Sequence, residues 1–441
     1  MLDLTACLAH VSPVWPHLLD TVIVRGEGAY VWDQAGRRYL DFTSGIGVTN
    51  TGHCHPRVVA AIREQAGQIL HLQANLAYHE PMLALIAALR QVAPPELDTF
   101  FFSNSGAEAV EAAIKLARHA TGRPNLIAFQ RGFHGRTLAT MSLTSSRTVY
   151  RVGYQPLMPG VFFAPYAYCY RCPKAEANPE RYGPSSCCGW ALEQVRFLLK
   201  SQTAPEETAA ILVEPVLGEG GYLVPPTSFL RGLREICDEH DILLILDEVQ
   251  SGFGRTGRFF ALEHFGVTPD ILVMAKGLAS GLPLSGIAAR RELMERWQPG
   301  THGGTYGGNA LACAAARATV RALQEEGLVE NAARQGEKLQ SRLRELQADY
   351  PGLGDVRGLG LMVGLEFVVP GGRTPDKNRA KATQRACLEK GLLLLTCGTD
   401  ENVIRWMPPL IIGDRELEEA LDIFQHALAS VVNTQETPCP S

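Results

Sequence analysis

The tightest constraint on this chain is a pair of short apolar runs that each lead into an ionisable side chain. Ile242-Leu-Leu-Ile-Leu246 runs into Asp247, and Ile271-Leu-Val-Met274 runs through Ala275 into Lys276. Short, uncharged runs rich in branched aliphatics read as strands buried on both faces. Phe259–Phe265, between them, reads as a short helix, which makes a β-α-β unit with parallel strands. Parallel pairing brings Asp247 and Lys276 to the same C-terminal edge of one sheet. At that edge open α/β sheets bind ligands.

The alternation extends through the middle of the chain. Thr99–Phe102, Leu126–Phe129 and Ala210–Val213 read as strands, and Val58–Leu72, Met82–Gln91 and Ala107–Ala120 as helices. Strands interleaved with helices predict an α/β fold with a mostly parallel sheet covered on both faces. At 441 residues the chain is too long for one core, so at least two domains are expected. Val22-Ile-Val and Ala29-Tyr-Val-Trp read as N-terminal strands, with Asp33-Gln-Ala-Gly36 as the turn between them. Towards the C-terminus, Ala312–Glu325 and Val329–Ala348 read as helices, and Gly360–Phe367, Gly391–Thr396 and Val403–Met407 as strands. Residues 1–54 and 311–441 are expected to build a smaller α+β domain beside a large domain spanning 55–310. Asn433–Ser441 is polar and reads as a loose tail.

Composition narrows the function classes. A formal charge of −5 argues against a nucleic-acid binder, which needs a basic excess. No apolar run reaches the length of a membrane span. Met1-Leu-Asp-Leu-Thr-Ala-Cys-Leu has no basic segment ahead of its apolar stretch, so no secretory signal is expected. Eleven scattered cysteines fit a reducing cytoplasm better than a disulfide scaffold.

The plainer alternatives are that Asp247 is a solvated acid ending a strand and Lys276 a snorkelling surface lysine. The flanks of Lys276 are poor in charge and imply partial burial. A desolvated lysine has a lowered pKa and forms Schiff bases with carbonyl compounds. An acid beside such a lysine suits pyridoxal phosphate: the acid keeps the pyridine nitrogen protonated, and the ring becomes an electron sink. Ser103-Asn-Ser105-Gly106-Ala107-Glu108 lies between a strand and a helix. It reads either as an ordinary N-cap or as a phosphate cradle built on a helix N-terminus.

Two motifs point elsewhere. Gly252-Phe-Gly254-Arg-Thr-Gly257 matches a dinucleotide fingerprint, but no helix opens at its glycines. Leu244-Ile-Leu-Asp247-Glu248 resembles a Walker-B strand, but the chain has no P-loop. A nucleotide-dependent enzyme built on them is the competing class. A Cys- and Pro-rich insertion, 164–189, carries Cys169, Cys172, Cys187 and Cys188. It reads as free thiols, one labile disulfide or a metal site. The adjacency of Cys187 and Cys188 counts against a tetrahedral metal, and none is expected.

Several further runs recur at family spacing: Val31–Phe42, Ser44–His53, Ser103–Glu108, Gly132-Phe-His-Gly-Arg-Thr137, Glu214-Pro-Val-Leu-Gly-Glu-Gly-Gly221, Leu246–Gly257, Ala275–Gly277 and His302-Gly-Gly-Thr-Tyr-Gly-Gly-Asn309. With these the chain closely resembles the class III, or ω-amino-acid, aminotransferases of PLP fold type I, and in motif the 4-aminobutyrate subgroup. The resemblance implies that Ser105, Gly106 and Ala107 hold the phosphate. Phe133 would stack on the ring, with His134 beside it among the cofactor-binding residues. Asp247 would pair with the pyridinium nitrogen, Val249 pack on the opposite face and Gln250 reach the ring hydroxyl. Lys276 would form the Schiff base. Thr305 would reach the phosphate from a partner subunit, which implies a homodimer with shared sites, or a dimer of such dimers.

The resemblance also bears on substrate. Arg405, in Asn402-Val-Ile-Arg405-Trp-Met-Pro-Pro409, matches the family arginine for the α-carboxylate. Arg136 matches the distal-carboxylate arginine of the 4-aminobutyrate group, and Ile46 its pocket position. Glu219 matches the gate that neutralises Arg405 when an ω-amino substrate leaves it unoccupied. An ω-amino acid donor and 2-oxoglutarate as acceptor are therefore expected. Leu217 departs from the glutamine usual in that group. Racemases and epimerases of the same family share these residues and stay open as an alternative.

Overall fold

The computed structural model describes residues 7–178, 180–181 and 186–435. Its centre is a seven-stranded sheet in the spatial order Thr99–Ser103, Ser285–Ala289, Ile271–Met274, Leu243–Asp247, Thr208–Val213, Asn125–Phe129, Val161–Ala164. Ser285–Ala289 runs antiparallel to both neighbours; the remaining pairings are parallel. Thr208–Val213 and Ile271–Met274 are buried along their whole length, as strands covered on both faces must be. The helix Gly106–Thr121 packs Val110, Ile114 and Ala117 against the sheet.

Two smaller sheets flank it. Ile23–Glu27, Tyr30–Asp33 and Arg38–Asp41 form an antiparallel sheet that Leu392–Leu393 extends in parallel, so the two ends of the chain meet there. Leu353–Leu359, Met362–Phe367, Val403–Trp406 and Leu395–Cys397 form the third sheet, antiparallel throughout. Arg405 sits on its strand Val403–Trp406, buried. No helix among the described residues is long and apolar enough to cross a membrane.

The structure corrects three local expectations. The first two N-terminal strands turn at Gly28, whose φ is +58°; Asp33–Gly36 instead joins the second strand to an unforeseen third. There Asp33 Oδ1 accepts from the N–H groups of Ala35 (3.0 Å) and Arg37 (2.9 Å), an Asx turn. Phe259–Phe265 holds only a 3₁₀ turn, Ala261–His264, which runs out at Gly266 with φ +63°, while the buried Glu248 carboxylate caps its start by accepting from the N–H groups of Ala261 and Leu262, each at 2.7 Å. The helix Asp414–Gln435 absorbs the first three residues of the expected tail, and 436–441 lie outside the described residues.

Candidate active site

The parallel pairing of Leu243–Asp247 with Ile271–Met274 puts Asp247 and Lys276 at one sheet edge, and Glu214 joins them from the end of Thr208–Val213. They line a cavity of about 980 Å³ together with Asn104, Ser105, Gly106, Ala107, Phe133, His134, Val249, Gln250, Arg136, Glu219, Arg405 and Ile46. Of the cofactor- and substrate-binding residues expected from the sequence, only Thr305 does not line it. Thr305 is exposed on the chain surface.

Asp247 is buried, with Oδ2 2.8 Å from His134 Nδ1 and Oδ1 accepting from Val249 N–H at 3.0 Å. Burial alone would lower the His134 pKa. The hydrogen bond and charge of Asp247, with the charge of Glu214, outweigh it and raise it. The two side chains thus pair in a site closed to solvent. Glu214 accepts from Phe133 N–H (2.9 Å) and Gly218 N–H (2.8 Å), yet burial, reinforced by Asp247, lifts it to about 7. Lys276 takes a left-handed φ of +44° just past its strand. Burial, helped by the positive charge of Arg405, brings its amine down to about 8.

At the helix N-terminus, Ser105 Oγ accepts from Glu108 N–H at 3.3 Å, and Glu108 Oε2 accepts from the N–H groups of Asn104 (2.6 Å) and Ser105 (3.1 Å). The capping box is therefore real and faces the cavity. A side chain at Gly106 would come within 3.0 Å of Val249 Cγ1, so glycine keeps the backbone open to a ligand. Gln250 Oε1 is buried and has no hydrogen-bond partner among the described residues.

The far end of the cavity is built from charged pairs. Arg405 Nη1 donates to Glu219 Oε2 at 2.8 Å, and the Tyr150 hydroxyl donates to Glu219 Oε1 at 2.9 Å. Glu219 raises the pKa of Arg405 against the effect of burial. Arg136 lies over the rings of Tyr150 (5.4 Å) and Phe133 (5.9 Å), with no carboxylate paired to it among the described residues. Arg147 Nη2 lies 3.2 Å from Glu401 Oε1, and Lys381 Nζ lies 2.8 Å from Oε2. Burial would raise Glu401, but Lys377, Lys381 and Arg147 hold it near 2.

The profile of the family described as Aminotransferase class-III matches residues 11–428. The chain belongs to the class III aminotransferases. It is 41% identical to a probable 4-aminobutyrate aminotransferase of Bacillus subtilis, covering 92% of this chain and 93% of that one. It is 45% identical to an acetylornithine aminotransferase of Methanopyrus kandleri, covering 92% and 94%. Among solved structures, the ornithine aminotransferase of Toxoplasma gondii, described with partial occupancy of PLP at its active site, superposes with a TM-score of 0.84 at 30% identity. That match covers 98% of this chain and 94% of the other.

As a class III aminotransferase the protein is an α/β enzyme that depends on pyridoxal phosphate and uses an amino donor and a 2-oxo acid acceptor. The residues present fit that cofactor. They offer a paired buried carboxylate, a depressed lysine, an orphaned Gln250 oxygen and a helix N-terminus that glycine keeps open. Sequence reasoning missed the roles of Glu214, Tyr150, Arg147 and Glu401. Glu214 stood in a quoted motif, whereas Arg147 and Glu401 carry no local signal and meet only through the fold. The dinucleotide-like glycine run holds the buried Arg255, whose guanidinium donates to the carbonyl oxygens of Leu361 and Pro408 and to Asn50 Oδ1. Those contacts make it a structural turn.

Proposed function

We propose that the enzyme moves the amino group of an ω-amino acid such as 4-aminobutyrate to 2-oxoglutarate. The observation that carries this reading is the Arg405–Glu219 pair beside the unpaired Arg136. An ω-amino donor brings its only carboxylate to the distal arginine and leaves Arg405 empty. Glu219 then neutralises the buried guanidinium, which would otherwise lie uncompensated. A 2-oxo dicarboxylate brings a second carboxylate, displaces Glu219 and takes Arg405 by a bidentate pair. Leu217, the departure from the 4-aminobutyrate pattern, is buried in the core and does not line the cavity, which supports keeping the reading.

The chain's own groups have defined tasks. Asp247, held by His134, would pair with the ring nitrogen. Gln250 would take the ring hydroxyl, and Ser105, Gly106 and Ala107 the phosphate. Bound there, the cofactor supplies an electron sink for charge left on the substrate carbon. Lys276 Nζ is the base that removes the proton from the amine-bearing carbon of the donor. With a pKa of about 8, roughly a tenth of it is neutral amine at pH 7. Phe133 and Val249 line the cofactor site and exclude water. A homodimer completes the proposal: Thr305 is exposed next to the exposed Tyr306, whose ring lies 5.1 Å from that of His71, the neighbour of the exposed Leu70, a surface suited to a second copy.

A panel of amino donors, assayed against 2-oxoglutarate and pyruvate, tests the reading. It predicts highest kcat/KM for 4-aminobutyrate or 5-aminovalerate with 2-oxoglutarate. Preference for an α-amino donor, or racemisation with no 2-oxo acid present, would reject it.

A further inference from the structure

The insertion that carries four cysteines packs against Arg131, whose backbone lies against Gly220 next to Glu219, and none of its described residues lines the active-site cavity. Cys172 Sγ and Cys188 Sγ are 3.4 Å apart, and Cys169 contacts Cys187. The adjacent thiols Cys187 and Cys188 thus face different partners. All four are partly buried free thiols under Tyr166, Tyr168 and Trp190. Among the described residues no group of three or more His, Cys, Asp or Glu side chains is arranged to hold a metal. Within this cluster of four the direct contacts pair the thiols two by two.

We propose that Cys172 and Cys188 form a reversible disulfide on exposure to a small aliphatic disulfide, and that the bridge holds the substrate gate shut. The Cys172 thiolate attacks one sulfur of the reagent, forming a mixed disulfide and releasing one thiolate. Cys188, after losing its proton to solvent, attacks the Cys172 sulfur and releases the second. Two protein thiols are oxidised by two electrons, and the reagent is reduced to two thiols. The sulfurs must close by about 1.4 Å to reach bonding length. Cys172 stands between the 3₁₀ turn Cys169–Arg171 and the short helix Pro173–Ala177, and Cys188 lies in irregular backbone, so neither is locked in a long element. Cys169 is the poorer nucleophile, because burial and the neighbouring thiols push it up to about 12.

The route to the gate is a chain of hydrogen bonds. Arg171 Nε donates to Glu366 Oε1 at 2.8 Å, and the Tyr168 hydroxyl donates to the same carboxylate. Arg357 Nη1 donates to Glu366 Oε2 and Nη2 to the carbonyl of Gly221, each at 2.7 Å. Gly221 lies two residues beyond Glu219. A bridge at Cys172 fixes Arg171 and Tyr168 on Glu366, keeps Arg357 on Gly221, and so keeps Glu219 over Arg405. This consequence rests on the gate reading of Glu219; the bridge itself does not.

The test treats holoenzyme with 2-hydroxyethyl disulfide, maps peptides by mass spectrometry and measures KM for each substrate. Expected are one Cys172–Cys188 bridge, two hydrogens lighter, and a KM for 2-oxoglutarate raised about fivefold. The donor KM should hold, and dithiothreitol should reverse both changes. Cys188→Ser should show neither effect. A Cys169–Cys187 bridge, mixed disulfides alone, or a bound zinc that blocks oxidation until chelated would overturn the site. A mapped bridge with unchanged acceptor KM would overturn the coupling. Glu219→Gln separates the two readings: if its own acceptor KM equals that of the parent, the gate has been misread while the bridge stands.

Discussion

The two ends of the active-site cavity are built on different terms. At one end Glu214, Asp247 and Lys276 follow consecutive strands of the central sheet, and each is held by burial or by hydrogen bonds to neighbouring backbone and His134. At the other, Arg405, Glu219, Tyr150, Arg136, Arg147 and Glu401 come from separate segments and neutralise or cover one another. The first set keeps its partners while substrate comes and goes. On the proposed function, Glu219 in the second set stands in for a substrate carboxylate and yields its place to it. Damage at the first end should therefore fall on kcat and stability, and damage at the second on KM.

Lys276→Ala should have the largest effect, lowering kcat by at least about 10³-fold and removing the visible absorbance of the holoenzyme. A surviving band with turnover would place the reactive amine elsewhere. Asp247→Ala leaves His134 buried without its partner. It should cost about 3 kcal/mol of stability, read from the denaturant midpoint; an unchanged midpoint would make the pair dispensable. Arg405→Ala should raise KM for the 2-oxo acid about 30-fold with a smaller change in kcat. An equal fall in kcat would erase the distinction between the two ends.

Lys276 also gives a pH test. Its lowered pKa means that the native state binds fewer protons than the unfolded chain between about 8 and the ordinary lysine value. Stability from this group therefore rises with pH across that window. Capture of pyridoxal phosphate by apoprotein should speed up roughly tenfold between pH 7 and 9 and then flatten. A rate still climbing tenfold per unit above pH 9 would mean an ordinary, solvated lysine. The smallest effect is expected at Arg136, which is exposed. Arg136→Ala should cut the preference for dicarboxylate acceptors about fivefold, and an unaltered preference would move the distal site to Arg147.

The same contrast governs what the sequence made legible. Asp247 and Lys276 could be placed together because an apolar strand announces its own end and a β-α-β unit fixes relative direction. Ser285–Ala289 escaped notice because Ser-Gly-Ile-Ala-Ala has neither branched bulk nor alternation, and its strand character comes from its two neighbours. His134 stood in a motif, but its bond to Asp247 spans 113 residues and no local pattern encodes it. Arg147 and Glu401 are less legible still, for each looks like an ordinary surface charge until the third sheet brings the two segments together. Directions of strands are written locally, whereas pairings between loops are settled only by the assembled tertiary structure.

Arg255 shows what that assembly demands in time. Its guanidinium closes on Asn50, Leu361 and Pro408 across 205, 106 and 153 residues of chain. Doubling a loop costs only about 0.6 kcal/mol of closure entropy, so distance itself is a mild obstacle. The harder demand is simultaneity, since a cation leaving water needs its acceptors in place when it arrives. A nascent chain acquires Pro408 only 153 residues after Arg255, so Arg255 must wait in solvent while that stretch is synthesised. Ribosome-bound chains halted before Pro408 should therefore expose this turn to protease, and chains released past it should protect it.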